Sequence, residues 1–519
     1  MTQTSAPSKT PQGLSHAEIR RVMTGLLIAL FTALLSTTIV STALPTIMAD
    51  LNGTQREYTW VITASLLMMT VSTPIWGKLS DLFNKKILVQ TTIVIFVAGS
   101  LIAGFAGSIA IMISARVVQG VALGGLMALV QAIMGTIISP RERGRYSGYM
   151  GGVMGVATVS GPLLGGIITD GLGWRWTYFV CVPLALIAFT VIQMSLRLNE
   201  APRRSVSIDY LGGILIACAA ALPMLWVTFA GSAYEWISWQ SAAFAAAFAL
   251  AAGGTVFVEL RAAEPIIPIR VLRNSTSVLM IVASLAVGVA MFGPSVFLTQ
   301  YFQLGKGASP TAAGFLILPM IICQTLSSMI GGILVTRTGH WKPVMLVGSL
   351  LMVVGLAGLG LIDHSTGYLW AAISMALAGA GVGMLIQNIV LAVQNTVDVK
   401  DIGAASATVA FFRSLGGAVG VAALGAVLTH QVAAGVRERI GGGAGADAGG
   451  DTTDLDLSVL PAPVREAVHN AYADGFGYVF LISAAIAVIT VVCILVAREA
   501  ALRTTVSMQP SAPENSLDE

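Results

Sequence analysis

The chain has 519 residues, of which 55% are hydrophobic and only 10% charged, with a formal net charge of +3. A soluble protein carries about 25% charged residues and must still cover its surface with polar groups. A mean hydropathy of +0.83 therefore excludes an ordinary soluble globule and points to an all-α polytopic membrane protein.

The N-terminal stretch 1–21 is polar and ends in Arg20 and Arg21. The apolar run that follows is of full spanning length and lacks a small-residue cleavage site, so it is expected to stay as the first helix. A transmembrane helix needs about 20 mostly apolar residues. Fourteen such runs follow in order, near 22–48, 58–80, 87–108, 110–138, 146–169, 175–196, 210–231, 239–258, 276–302, 311–335, 343–362, 368–392, 402–429 and 476–498.

The distribution of Lys and Arg supports that count. With a cytoplasmic N-terminus, 20 of them fall on inside segments and 6 on outside segments, and only Arg116 and Arg413 lie within spans. Positive charge accumulates on the cytoplasmic side, and adding or dropping one span would invert the bias downstream. Both termini are thus expected in the cytoplasm and the protein in the inner (plasma) membrane. Cys181, Cys218, Cys323 and Cys493 are isolated in apolar runs, with no metal-ligand or disulfide spacing.

The connector after the second span reads GKLSDLFNKK (77–86), and the one after the tenth reads GILVTRTGHWK (332–342). Related turns at the same ordinal place suggest two six-helix halves, the organisation of transporters built from repeats. The expected units are a cytoplasmic tail (1–21), an N-terminal half (22–196), an inserted helix pair with its flanking loops (197–275), a C-terminal half (276–498) and a disordered cytoplasmic tail (499–519). The only long loop is an external one near 430–475.

Gly77 is expected to let two helices approach, Asp81 to lie near the positive end of the next helix, and Lys85 with Lys86 to hold the loop inside. Asn84 is read as tolerating a left-handed turn. Arg116, in ARVVQGVALGG (115–125), sits in an apolar span where an unpaired charge would cost at least ~2.5 kcal/mol, so it must face the bundle interior or a cavity. Arg413 poses the same problem in the thirteenth span. In the fifth span, Gly148, Ala157, Gly161-Pro162 and Gly165-Gly166 place small residues where helices can pack backbone to backbone, with Pro162 bending the span.

These segments resemble the signature loop, the fourth-helix motif and the exporter motif of the major facilitator superfamily. WRWTYFVCVP (174–183), TTIVSTALP (37–45), SPTAAGF (309–315) and FFRSLGGAVG (411–420) are similar to its fourteen-helix drug:proton antiporters, and the resemblance covers nearly the whole chain. It implies the major facilitator fold with two inserted helices, and multidrug efflux of amphipathic drugs, antibiotics or lipids by proton antiport. Asp81, Arg116, Gly77, Lys85, Gly161 and Pro162 would then serve coupling and conformational change. Many relatives carry an acid in the first helix where this chain has Ser36, and no Asp or Glu lies deep within a span. Neutral or anionic amphiphiles therefore suit the cavity better than lipophilic cations.

Ser36, Gln131, Gln300, Gln324, Asn388 and Arg413 are the candidate cavity residues. No cofactor, metal or nucleic acid is expected, and the partners are a small-molecule substrate and the lipid bilayer, with the chain a monomer. GxxxxGK[ST] does not occur, and no nucleophile or histidine cluster suggests an enzyme. A lipid or metabolite exporter without tight proton coupling, and a membrane sensor, are the alternatives.

Overall fold

The computed structural model describes residues 16–137, 140–196, 210–230, 234–261, 273–397, 402–440 and 462–499. The N-terminal half holds α1 (His16–Asp50), α2 (Gln55–Leu82), α3 (Lys85–Gly104), α4 (Ile109–Ile137), α5 (Pro140–Leu172), and α6 (Trp176–Phe179) running on into α7 (Cys181–Ser195). The inserted pair is α8 (Tyr210–Phe229) and α9 (Trp239–Arg261). The C-terminal half begins with α10 (Ser275–Gln300), continued by a π-helical segment (Tyr301–Gly305), then α11 (Pro310–Leu316) running on into α12 (Leu318–Thr338). It ends with α13 (Lys342–Gly360), α14 (Tyr368–Gln394), α15 (Ile402–Ile440) and α16 (Ala462–Val496).

Helices are the form such a sequence must take, because a backbone in lipid has to satisfy its own polar groups. Among the described residues, thirteen helical stretches are long and apolar enough to cross a membrane. The expected seventh span is the exception: the apolar part of α8 is shorter, Leu211–Val227. The 20 residues of α8 still rise ~30 Å, close to the hydrocarbon thickness. The connector expected at 430–475 also changes. Helix α15 runs to Ile440 and α16 starts at Ala462, leaving 441–461, like the tail 500–519 and the leading 1–15, outside the described residues.

The repeat suspected from the two loops extends to the whole packing pattern. In each half the first helix packs on the fifth and sixth, the second and third pack on the fourth, and the third packs on the sixth. Glycines set the closest approaches in both halves. A Cβ at Gly165 would lie 2.8 Å from Ile39 O on α1, and one at Gly288 would lie 2.0 Å from Arg413 O on α15. Likewise Gly124 of α4 meets Met69 O of α2, and Gly383 of α14 meets Gln324 O of α12. Close backbone approach is how membrane helices gain packing energy when lipid is as apolar as their side chains.

Lysines tie the third helix to the sixth at matching places. Lys86 Nζ donates to Gln193 O at 2.8 Å, and Lys342 Nζ donates to Leu495 O and Ala497 O at 2.9 and 2.7 Å. The last carbonyls of a helix lack intrahelical partners and carry the negative end of its dipole, so a cation there is favoured.

Candidate functional site

The halves meet along two seams related by the repeat: α2 against α15, and α5 against α11 and α12. At one end they are firmly joined. Gln55 of α2 and Gln300 of α10, both fully buried, exchange side-chain amide hydrogen bonds. Gln303 Nε2 in the π-helical segment donates to Thr42 O of α1 at 2.8 Å, and Tyr58 Oη to Val296 O at 3.5 Å. Asp170 Oδ2, at the end of α5, accepts from the backbone N–H of Thr311 at the head of α11 at 3.1 Å.

The glycines of α5 make that junction possible. Gly161 and Gly165 face α1, where a Cβ at Gly161 would lie 1.9 Å from Thr38 Oγ1. Gly166 faces the other half, where a Cβ would lie 2.4 Å from Thr311 Cα, and a Cβ at Gly314 of α11 would lie 2.4 Å from Pro162 O. At mid-height a Cβ at Gly155 would come 3.1 Å from Thr325 Cγ2 of α12. Beyond that point the seam opens: a Cβ at Gly152 or at Gly332 meets nothing within 4 Å. The apolar core follows the same division. One buried cluster runs from Val40, Tyr58 and Met112 into the C-terminal half, while Ile19, Phe96, Leu126 and Ile192 belong to a core of the N-terminal half alone. Among the described residues the two-half bundle is shut at one end, and toward the other no such contacts join the halves.

The profile of the Major Facilitator Superfamily matches residues 26–421. The chain belongs to the major facilitator superfamily. It is 34% identical to the Multidrug transporter protein MdtP of Bacillus subtilis over 79% of this chain and 75% of that protein. It is 30% identical to Multidrug resistance protein 3 of the same organism over 96% and 98% of the two chains. In fold it is similar to a bacterial homolog of the human lysosomal transporter Spinster in its inward-facing and occupied conformation, with a TM-score of 0.65 at 14% identity over 93% and 97% of the two chains. It is therefore a multi-pass membrane transporter, not an enzyme.

As a major facilitator, the protein has its two intramembrane arginines inside the halves. Arg116 is 4% exposed; its Nε donates to Val61 O at 3.3 Å and its Nη1 to Gln119 Oε1 at 2.9 Å, while Gln119 Nε2 donates to Ser100 Oγ at 3.0 Å. The guanidinium thus binds α2, α3 and α4 together. Arg413 is half-buried, and its Nη1 reaches Ile386 O of α14 at 3.4 Å. Among the described residues, neither meets a carboxylate.

Several expected roles change. Gly77 is not a close-approach glycine, since a Cβ there meets nothing within 4 Å. Asp81 lies in the last turn of α2, four residues before α3 begins; its side chain is outside the described residues. Lys85 is the first residue of α3, and Asn84 caps that helix from an extended conformation (φ −61°), its Oδ1 accepting from Lys86 N at 2.9 Å. A left-handed turn is unnecessary because the chain enters α3 as an ordinary N-cap.

Of the candidate cavity residues, Ser36 is 1% exposed beside the Cys181 thiol in the α1–α7 packing, so it does not face an open cavity. Gln300 belongs to the junction. Asn388 folds back on its own helix, Nδ2 to Met384 O at 2.7 Å, beside Gly331. Gln324 is half-buried against α14, and Gln131 is exposed on α4. Gly161 and Pro162 are buried in α5 where the exporter motif predicts helix contact.

Sequence reasoning missed Gln55 as Gln300's partner and Asp170 as a bridge between halves. It also missed Asp50, whose Oδ2 accepts from Trp174 Nε1 at 2.9 Å and Arg175 Nη1 at 3.0 Å. The WRW motif was the available signal for that last contact.

A polar belt closes the same end of the C-terminal half. Asp474 of α16 pairs with Arg439 of α15 and with His364 Nδ1 at 3.2 Å, and His469 Nδ1 bonds Leu304 O in the π-helical segment. Lys306 Nζ donates to His364 O at 2.7 Å, and burial lowers the pKa of its ammonium. The hydroxyls of Thr366 and Ser365, with their backbone N–H groups, hold the Asp363 carboxyl down to about 2.

Proposed function

We propose that the protein exports amphipathic small molecules across the plasma membrane by proton antiport, with both chain termini in the cytoplasm. The observation that carries this reading is the contact of α5 with α11, in which Gly166 and Gly314 present bare backbone to the opposite half. A surface with no interlocking side chains can part and re-form at low cost, as alternation between two access states requires. The names of the two Bacillus relatives, a multidrug transporter and a multidrug resistance protein, favour drugs as cargo.

On this reading the arginine-rich connectors lie inside, the joined end faces outward, and the parted end faces the cytoplasm, where an exporter loads. The sequence has no phosphate-cradling loop, which leaves an ion gradient as the energy source. Arg413, half-buried and without a carboxylate partner among the described residues, favours neutral or anionic amphiphiles over lipophilic cations.

Inverted vesicles with an acid interior should accumulate such compounds and release them when an ionophore collapses the gradient. Accumulation that survives collapse would remove proton coupling and leave export standing. Absence of accumulation for every amphiphile class would remove export. For orientation, single cysteines at Ser458 and Ser507 in a Cys-free background should differ on intact cells, with an impermeant maleimide reaching Ser458 only.

A further inference from the structure

The repeat makes the two seams between the halves equivalent, and the inserted pair makes them different. Ile216, Ala220 and Met224 are buried along α8, and Val227 continues the same stripe at the spacing of one helical face. Met224 packs with Ala418 and Ala422 of α15, in a cluster that also takes in Trp60, Leu66 and Leu67 of α2. Helix α8 therefore lies in the groove where α2 meets α15, one helix from each half. Helix α9 backs it, with Gly254 against Leu215. Among the described residues the other seam has no such cover: the substantial neighbours of α5 are α1, α4, α6, α11 and α12.

We infer that the inserted pair is a lateral seal, and that alkyl-chain amphiphiles enter the cavity from the bilayer on one side only, between α5 and α12. The inference rests on the proposed export of amphiphiles. The uncovered seam is narrow where Gly155 meets Thr325 and opens toward the parted end at Gly152 and Gly332. Its described walls there are backbone and apolar side chain: Gly152 on one side, and on the other Met329, 63% exposed and one turn from Thr325. They lead toward the apolar outer surfaces of both halves, where Val156 on α5 and Ile330 and Ile333 on α12 are exposed. Arg337, exposed in the last turn of α12, stands at the depth where a polar head resides and is complementary to an anionic one. An acyl chain can slide along such a slot with its head still in the interface; at the other seam helix α8, with Ile216 and Ala220 buried along it, occupies that path.

The test uses the full chain in native membrane vesicles with a fatty acid carrying a mid-chain diazirine as probe. Photolysis followed by peptide mapping should find labelling of α5 and α12 around Gly152 and Met329 that excess unlabelled fatty acid abolishes; annular lipid labelling does not compete. Gly152→Phe, which fills the open space, should lose this labelling while keeping wild-type abundance and elution. Should that variant fold poorly, the mapping of the unmodified chain decides alone. Competable labelling on the α2, α8 and α15 groove would overturn the seal, and competable labelling confined to residues away from both seams would overturn entry from the bilayer. Labelling as expected in vesicles that never accumulate amphiphile would sink the export reading and leave the portal intact.

Discussion

Gly166 on α5 and Thr311 at the head of α11 touch backbone to backbone across the two halves, so close that a Cβ on the glycine would lie 2.4 Å from Thr311 Cα. Gly166→Val must therefore push the halves apart. Overpacking costs about 1–3 kcal/mol, which moves an equilibrium roughly 5- to 150-fold. A single cysteine at Gln303, buried in the junction, should react faster with an impermeant thiol reagent in this background. Unchanged reactivity would leave the contact without a part in gating.

The reciprocal amide pair of Gln55 and Gln300 should show in a double-mutant cycle. Truncating either to Ala strands the other buried amide, and the coupling between the two changes should be about 0.5–1.5 kcal/mol. The readout is the same labelling rate, with additive effects counting against a direct lock.

Arg116 and Arg413 should part company under substitution. Arg116→Leu leaves Val61 O and Gln119 Oε1 without their donor, at about 1–3 kcal/mol for each buried group. Melting in detergent should fall and membrane abundance with it. Arg413 is half-buried with one long bond, so Arg413→Leu should melt near wild type, and any loss of export in that variant is functional. Equal melting of both variants would contradict the assignment of Arg116 to scaffolding.

Asp363 sets an acid limit on the closed end. Its folded pKa of about 2 lies below an unfolded value of about 3.9. Its stabilising contribution is thus complete above the unfolded value and is lost as pH falls through the folded one. Asp363→Ala should melt lower than wild type at pH 7, and the difference should shrink between about pH 4 and pH 2. A constant difference across that range would show that the carboxylate's charge is irrelevant there.

Much of the architecture was legible because membrane physics acts on single segments. Apolar length reveals a span whatever it packs against. The exporter pattern in α5 was legible too, since glycines at helical spacing have few uses other than close approach. Gly77 shows the limit: the residue permits an approach, but only the neighbour decides whether one occurs. Asn84 suits a left-handed turn and an N-cap equally, and the chain's path into α3 selects the cap. Asp170 and Gln55 were invisible because their partners, Thr311 and Gln300, lie more than a hundred residues away. Ser36 was misplaced because a polar residue in a span faces either a cavity or another helix, and periodicity does not separate the two.

Helix α15 has 39 residues and α16 has 35, lengths of ~58 and ~52 Å against a hydrocarbon core of about 30 Å. Bound together by Arg439 and Asp474, and fastened at their base through His364 and His469, they stand clear of the bilayer as a paired mast on one half only. Averaging of particle images depends on a landmark outside the micelle that breaks the likeness of the two halves, and this pair is one. A small rigid protein fused to that pair would mark the C-terminal half alone, whose tilt could then be followed from the angle between mast and membrane.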